Sequence, residues 1–488
     1  MEQIKELEPR LVWELFEQIT RVPRPSKKEA RIQAFIEEFA RVHGLACRRD
    51  EKGNLVVIRE ASTGREGESG LILQSHMDMV CEKDAEVRID FERDPIPAYV
   101  DGEWVRARGT TLGADCGIGM ALQMAVLVDK ELSTPRVEAL FTVDEEQGLS
   151  GAMNLGEGML TGGRMINLDS EDEGEIFIGC AGGIDTLATM RYRAEKVVHS
   201  EDYQYYTIRV AGLHGGHSGD DIEKGFANSN KLLTRVLWRL SRECGLRLGR
   251  FDGGNLRNAI PREAEASVAI PSVSAERAGE LFGRLAEEIA AEFAQTEPGL
   301  RIGLEPALEP LEEWLPEEVQ ERLLGVLYAV PHGVMAMSRS MPGLVETSTN
   351  LASVKMPEGE GRILITTSQR SSVESAKRDI ADRVGATFAL AGAEVCHTDG
   401  YPGWRPNPDS PLVRRAAAVY REMFGRDPKI KAIHAGLECG LFLSRYPHLD
   451  IISTGPTLRG VHSPAERVEI ASVGRVWEYL KRLVEDRG

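Results

Sequence analysis

Leu71-Ile-Leu-Gln-Ser-His-Met-Asp78 is a short apolar run that ends in an imidazole and a carboxylate. Val137-Glu-Ala-Leu-Phe-Thr-Val-Asp-Glu-Glu146 repeats the device further along, and Gly-Ala-Asp115-Cys-Gly lies between the two. Apolar runs of this length, closed by polar residues, read as buried strands. A strand end holds its side chains rigidly enough to fix a coordination sphere, and imidazole and carboxylate are the ligands a borderline cation such as Zn²⁺ accepts. The pattern implies an α/β fold with metal-assisted hydrolytic chemistry at the ends of its strands.

Outward from these runs, helices and short apolar strands alternate. Ser26 is expected to open a helix on which Ile32, Phe35, Ile36 and Phe39 recur at helical spacing, followed by strands at 55–58 and 71–74. A helix over 118–128, a strand over 137–143 and another over 165–168 continue the rhythm, which returns near the C-terminus with a strand over 451–454 and a helix over 470–483. Between about 186 and 398 the order becomes β-α-β-β-α-β, and the stretch from 317 to 397 resembles a second pass. Asn255-Leu256 before Pro261 and Asn350-Leu351 before Pro357 echo each other in the two passes. The expected architecture is an α/β catalytic domain, a mixed sheet between helices, formed by residues 1–185 and 399–488. It is split by an inserted α+β domain over 186–398 that is internally doubled.

With 488 residues, 42% of them hydrophobic, two domains are the natural expectation. The 59 basic against 77 acidic side chains, a formal charge of -18, argue against nucleic acid or an anionic membrane surface as partner. No apolar run approaches the roughly 20 residues that span a bilayer, and the first residues lack a basic start followed by an apolar stretch, so a cytoplasmic location is expected. The seven cysteines are scattered singly, which is neither a disulfide framework nor a thiolate zinc site. Cys81 and Cys116 stand beside the acidic motifs, but no base accompanies either as a nucleophile. The glycines at 113, 117 and 119 lack the spacing and the lysine of a phosphate loop, and Asp115 would repel phosphate. No His-Glu-x-x-His is present. The acidic cluster Glu171, Asp172, Glu173 and Glu175 reads as a solvated loop, Leu237, Trp238 and Leu240 as helix packing, and His214 receives no role.

Seven motifs in order carry a family resemblance: Arg21-Val-Pro-Arg-Pro-Ser26, Gln74 to Lys83, Gly109 to Gly119, Asp144 to Ala152, Asn167-Leu-Asp-Ser-Glu171, Gly215-Gly-His-Ser-Gly219 and Gly460-Val-His-Ser-Pro464. They resemble the co-catalytic zinc peptidases of the M20 family, and within it the aminoacyl-histidine dipeptidases. The resemblance implies two Zn²⁺ ions, with Mn²⁺ or Co²⁺ as substitutes. One would rest on His76, Asp115 and Asp169, the other on Asp115, Glu146 and His462. An anionic bridge suits cations roughly 3.5 to 4 Å apart, because it offsets their repulsion.

By the same resemblance, Asp78 orients His76, and Glu145 is the general base that takes a proton from the water between the metals. Adjacent residues on a regular strand face opposite ways, so Glu145 and Glu146 can share a site only if the chain turns, for which Gln147-Gly148 is the expected place. The insertion is implied to be a lid, in which His217 stabilises the oxyanion while Asn258 and Arg370 hold the substrate's carboxylate. In Ala435-Gly-Leu-Glu-Cys-Gly440, Glu438 is expected to receive an α-ammonium group. The implied activity is hydrolysis of unblocked Xaa-His and related dipeptides. The alternatives are an N-acyl amino acid deacylase or metallo-carboxypeptidase of the same superfamily, or a non-catalytic peptide-binding protein. A small peptide is the expected partner, and a homodimer is left open.

Overall fold

The Leu71–His76 strand lies inside an eight-stranded sheet in the computed structural model of the chain, which describes residues 3–487. The sheet runs Ala46–Arg49, Leu55–Arg59, Val137–Thr142, Leu71–His76, Arg164–Asn167, Asp450–Ser453, Glu175–Cys180, Lys429–Ile433. The four strands from Val137–Thr142 to Asp450–Ser453 are parallel, flanked by antiparallel neighbours. Parallel strands are covered on both faces, which is why Leu71–His76 and Val137–Thr142 are buried at every position rather than alternating. Their parallel course also brings all four C-terminal ends to one edge of the sheet, the edge where α/β folds bind ligands.

Helix Arg10–Thr20 buries one face through Trp13, Phe16 and Ile19. Helix Ala114–Val128 is apolar on nearly all sides and buried accordingly. The helix expected from Ser26 begins at Ala30; Ser26 instead donates its hydroxyl to Asp78 Oδ2 at 2.7 Å. A small sheet ordered Leu458–Arg459, Arg467–Glu469, Trp104–Ala107, Ala98–Asp101 draws the loop holding His462 toward the segment before Asp115.

The chain divides into two units. One comprises the chain through Gly179, Pro406–Ala432 and Leu437 onward; the other is Cys180–Arg405 with Ile433–Gly436. These divisions fall a few residues from the expected 185 and 398, and nothing in the sequence marks the return of Ile433–Gly436. In the second unit, strands Tyr203–Ala211, Arg247–Gly253, Ala264–Pro271 and Arg301–Pro306 alternate with helices Ser229–Cys244 and Ala275–Glu292. Numbered in chain order, they lie side by side as fourth, first, third, second.

Strands Val345–Lys355, Arg362–Ser371, Gly182–Arg191 and Glu394–His397 continue the same sheet in the mirrored order, second, third, first, fourth. The two sets join where Arg247–Gly253 pairs with Val345–Lys355. The first strand of the second set therefore precedes the whole first set in the chain, so one is nested in the other. Gly333–Met337, expected as a strand of the second pass, is a side strand on Val345–Lys355.

Two of the acidic residues read as solvated have covered side chains. Glu173 pairs with Arg475 at 2.9 Å and Arg426 at 3.4 Å, and Glu175 with Lys431 at 2.7 Å, because Glu175 opens a strand of the large sheet. Leu237 and Leu240 pack in the second core as expected, and Trp238 stacks on Tyr328. No helix among the described residues is long and apolar enough to cross a membrane.

Candidate metal centre

Five sequence motifs meet at the C-terminal edge of the parallel strands. His76 is the last residue of its strand, Glu145 and Glu146 follow Val137–Thr142, and Asp169 follows Arg164–Asn167. The turn that lets Glu145 and Glu146 share one site comes before them rather than at Gln147-Gly148. Asp144 adopts a left-handed conformation (φ 51°), and Glu145–Gly148 forms one helical turn. Asp115 stands at a non-helical step in the first turn of Ala114–Val128. His462, also left-handed (φ 60°), comes from the loop after Leu458–Arg459.

His76 Nε2 lies 3.1 Å from Asp115 Oδ1 and 3.2 Å from Asp169 Oδ1, while His462 Nε2 lies 3.2 Å from Asp115 Oδ2 and 2.9 Å from Glu146 Oε2. The two oxygens of Asp115 thus serve two separate imidazoles. Asp115, Glu146 and His462 offer ligand atoms within 4.8 Å of one another, as do His76 and Asp169 with Cys116, and His76 with Glu145 and Glu146. Asp78 is buried beneath them: its Oδ1 is 3.4 Å from His76 Nδ1 and accepts from Glu145 N at 3.1 Å, and its Oδ2 accepts from Glu146 N at 3.2 Å. His76 Nδ1 also lies 3.1 Å from the Asp78 backbone carbonyl, so Asp78 faces the histidine with both groups while its carboxylate pins the start of the glutamate turn.

The electrostatics describe a cluster short of positive charge. Burial, reinforced by Asp169, Glu438 and Glu146, pushes the Glu145 carboxyl well up, and burial raises Asp169 to about 6. Hydrogen bonds to Asp115 and Glu146 raise His462 to about 11. Burial alone would lower His76, but Asp169, Asp115 and Asp78 outweigh it and push the imidazole up. Burial would likewise raise Asp115, yet His462 and His76 hold it well below the usual carboxylate range. Both histidines gaining protons while two carboxyls resist losing theirs is what a crowd of buried anions does without cations. Glu146 Oε1 is buried without a hydrogen-bond partner. Such an oxygen is costly unless a cation takes it. The imidazole and carboxylate donors, their convergence and this bare oxygen fit a pair of divalent cations.

Residues that sequence reasoning passed over hold this arrangement. Glu466 is 2% exposed and accepts four consecutive backbone N–H groups, from Leu112 (2.7 Å), Gly113 (3.0 Å), Ala114 (2.7 Å) and Asp115 (3.2 Å). It lies four residues after His462, so a single short segment positions two candidate ligands. Arg24, also buried, donates to the carbonyls of Met77, Asp78 and Gly113 and joins the His76 and Asp115 loops. Its motif was legible, but an arginine that binds only carbonyls leaves no signature in composition. Glu438, which the sequence singles out for an α-ammonium group, also buttresses the site: its Oε2 accepts from Gln74 Nε2 (2.7 Å) and Thr142 Oγ1 (2.9 Å), on the two strands that lead to His76 and Glu145. Its Oε1 is buried and bare, and burial raises the carboxyl to about 8.

The remaining candidates belong to the second unit, and three of its segments converge. Ser218 N donates to the Asn258 carbonyl at 2.8 Å, and His217 bridges to Ala259, so the two loops run together, with Asn258 itself exposed. Asp220 N donates to His217 Nδ1 at 3.2 Å, and Arg370 NH2 stands 3.3 Å from Nε2 of the same ring. Arg370 is 6% exposed, and among the described residues it forms no ion pair with an Asp or Glu. A buried guanidinium in that condition calls for an anion.

Residues 72–486 match the model of peptidase family M20/M25/M40. The chain is 39% identical over 486 residues to the cytosol non-specific dipeptidase of Escherichia coli K12, covering 100% of this chain and 99% of that protein. The crystal structure of aminoacylhistidine dipeptidase from Vibrio alginolyticus superposes with a TM-score of 0.92 at 39% identity, covering 99% of this chain and 98% of that one. A tripeptidase from Staphylococcus aureus shares the fold at 15% identity and a TM-score of 0.55, covering 98% of each chain.

Proposed function

The chain belongs to peptidase family M20/M25/M40, and from that membership we propose that it is a dinuclear zinc dipeptidase acting on unblocked Xaa-His and related short peptides. The observation that carries the reading is Asp115, whose two carboxylate oxygens each lie within hydrogen-bonding distance of a different imidazole Nε2. A carboxylate placed so could serve two cations. His76, Asp115 and Asp169 would hold one cation, and Asp115, Glu146 and His462 the other. Bound there, such cations would supply Lewis acidity toward the scissile carbonyl and acidify a water at neutral pH.

The chain's own groups do the rest. Glu145 takes the proton of the attacking water and returns it to the departing amine, a task suited to a carboxyl held at the strand end beside the candidate ligands. Asp78 fixes the ring of His76 and, through two backbone N–H groups, the position of Glu145. In the second unit, His217 donates to the developing oxyanion, and Arg370 with Asn258 takes the substrate's C-terminal carboxylate. Glu438 receives the α-ammonium on its bare Oε1, which requires a free N-terminus and disfavours acylated substrates. The Escherichia coli relative is named for the cytosol, and the same compartment is proposed here.

The test is a paired assay of Ala-His and N-acetyl-histidine, with and without chelator, followed by readdition of zinc, manganese or cobalt. Cleavage of Ala-His that is lost to chelator and restored by zinc, with N-acetyl-histidine intact, is the expected result. Preferential deacylation, or turnover indifferent to chelator, would refute it.

A further inference from the structure

Tyr401 sits in a slot built for its ring. A Cβ on Gly183 would stand 2.7 Å from the ring's Cε1, Cζ and hydroxyl oxygen, and one on Gly436 would stand 2.8 Å from Cε2 on the other edge. Only glycine at both positions leaves the ring room. The backbone is held as firmly: Tyr401 N donates to Gly183 O (2.8 Å), Gly183 N donates to Tyr401 O (3.1 Å), and Lys377 Nζ donates to the same carbonyl while pairing with Glu374. A phenol fixed from every side presents its hydroxyl in one place.

That place is beside Arg370. Arg370 NH1 donates to the Tyr401 oxygen at 3.0 Å. Since the oxygen is already accepting, its own proton is directed to another acceptor. The Tyr401 O–H and the Arg370 guanidinium stand together as donors beside His217, with no carboxylate within ion-pair distance of Arg370 among the described residues.

Resting on the reading of Arg370 as carboxylate ligand, we propose that Tyr401 is a specificity residue, which sets the guanidinium in position and donates its phenolic hydrogen to the substrate's terminal carboxylate. A neutral donor beside a guanidinium adds direction without adding charge. The pair therefore favours a free carboxylate over an amide, whose NH₂ would face a donor.

The experiment compares Ala-His with Ala-His amide in the zinc-loaded full chain, the amide scored as substrate or, where it is not turned over, as competitive inhibitor. Tyr401→Phe keeps the ring that fills the glycine slot and removes one oxygen. It is expected to lower kcat/KM for Ala-His by about ten-fold, the value of one hydrogen bond to a charged group, and to leave recognition of the amide within about two-fold. Equal losses on acid and amide, or no loss on the acid, would overturn the proposal. Arg370→Gln separates the two readings. If it abolishes the preference for acid over amide while Tyr401→Phe retains it, only the role of Tyr401 fails. If Arg370→Gln itself retains the preference, the reading of Arg370 fails.

Discussion

Glu145 and Glu146 are neighbours with different work, and the left-handed Asp144 that turns the chain before them makes this arrangement possible. Replacing Glu145 with alanine should leave zinc content near two per chain and lower kcat by about 10²- to 10⁴-fold, the range of one general base. Metal analysis beside steady-state kinetics checks both halves; loss of zinc together with activity would contradict the assignment. His462→Ala should behave differently, since its Nε2 faces both Asp115 and Glu146. There zinc content should fall toward one per chain, and added zinc should raise activity only at concentrations well above those the unsubstituted chain needs. These side chains were legible in the sequence because their motifs stand in the order that the family resemblance implies, not because a lone imidazole or carboxylate marks a ligand. The geometry of the turn was not, because a positive φ at an aspartate has no compositional signal.

The four parallel strands collect their ends on one edge, and the Glu466 clasp then fixes the one candidate ligand, Asp115, that comes from a helix start rather than a strand end. Replacing Glu466 with alanine strands four N–H groups in a buried loop, at a cost on the order of 3 kcal/mol or more. The expected outcome is a lower thermal midpoint and weaker zinc binding by calorimetry, with Glu466→Gln, able to serve fewer of the four, falling between. An unchanged zinc affinity in the alanine variant would show that Asp115 needs no such support. The apolar runs 71–74, 137–143 and 165–168 were readable as strands because both faces are covered. The nesting in the second unit was not, since Gly182–Arg191 completes a set of strands whose other members lie far down the chain. Local pattern cannot report a pairing of that sequence separation. Glu173 and Glu175 escaped for a related reason: a charged run looks solvated until distant lysines and arginines arrive to pair with it.

At the scale of the molecule, acidity is a liability spread over both units. In the second unit, burial and then the Arg370 charge lower the His434 imidazole to about 4, with its Nε2 2.7 Å from Ser348 Oγ and its Nδ1 bare. Unfolded histidine titrates near 6.5, so between about 6.5 and about 4 the unfolded chain holds the additional proton and stability falls as pH falls. The thermal midpoint should decline less steeply from pH 7 to pH 4 in His434→Gln than in the unsubstituted chain, and parallel declines would contradict a buried neutral ring. In the first unit the carboxylates are proposed to bind a cation pair, and on that the whole account turns. An anomalous-diffraction map recorded at the zinc edge, on crystals of the zinc-loaded chain, tests it most directly. The account predicts two peaks roughly 3.5 to 4 Å apart on either side of the Asp115 carboxylate, one against His76 and Asp169 and the other against Glu146 and His462. A single peak, or density away from Asp115, would contradict it.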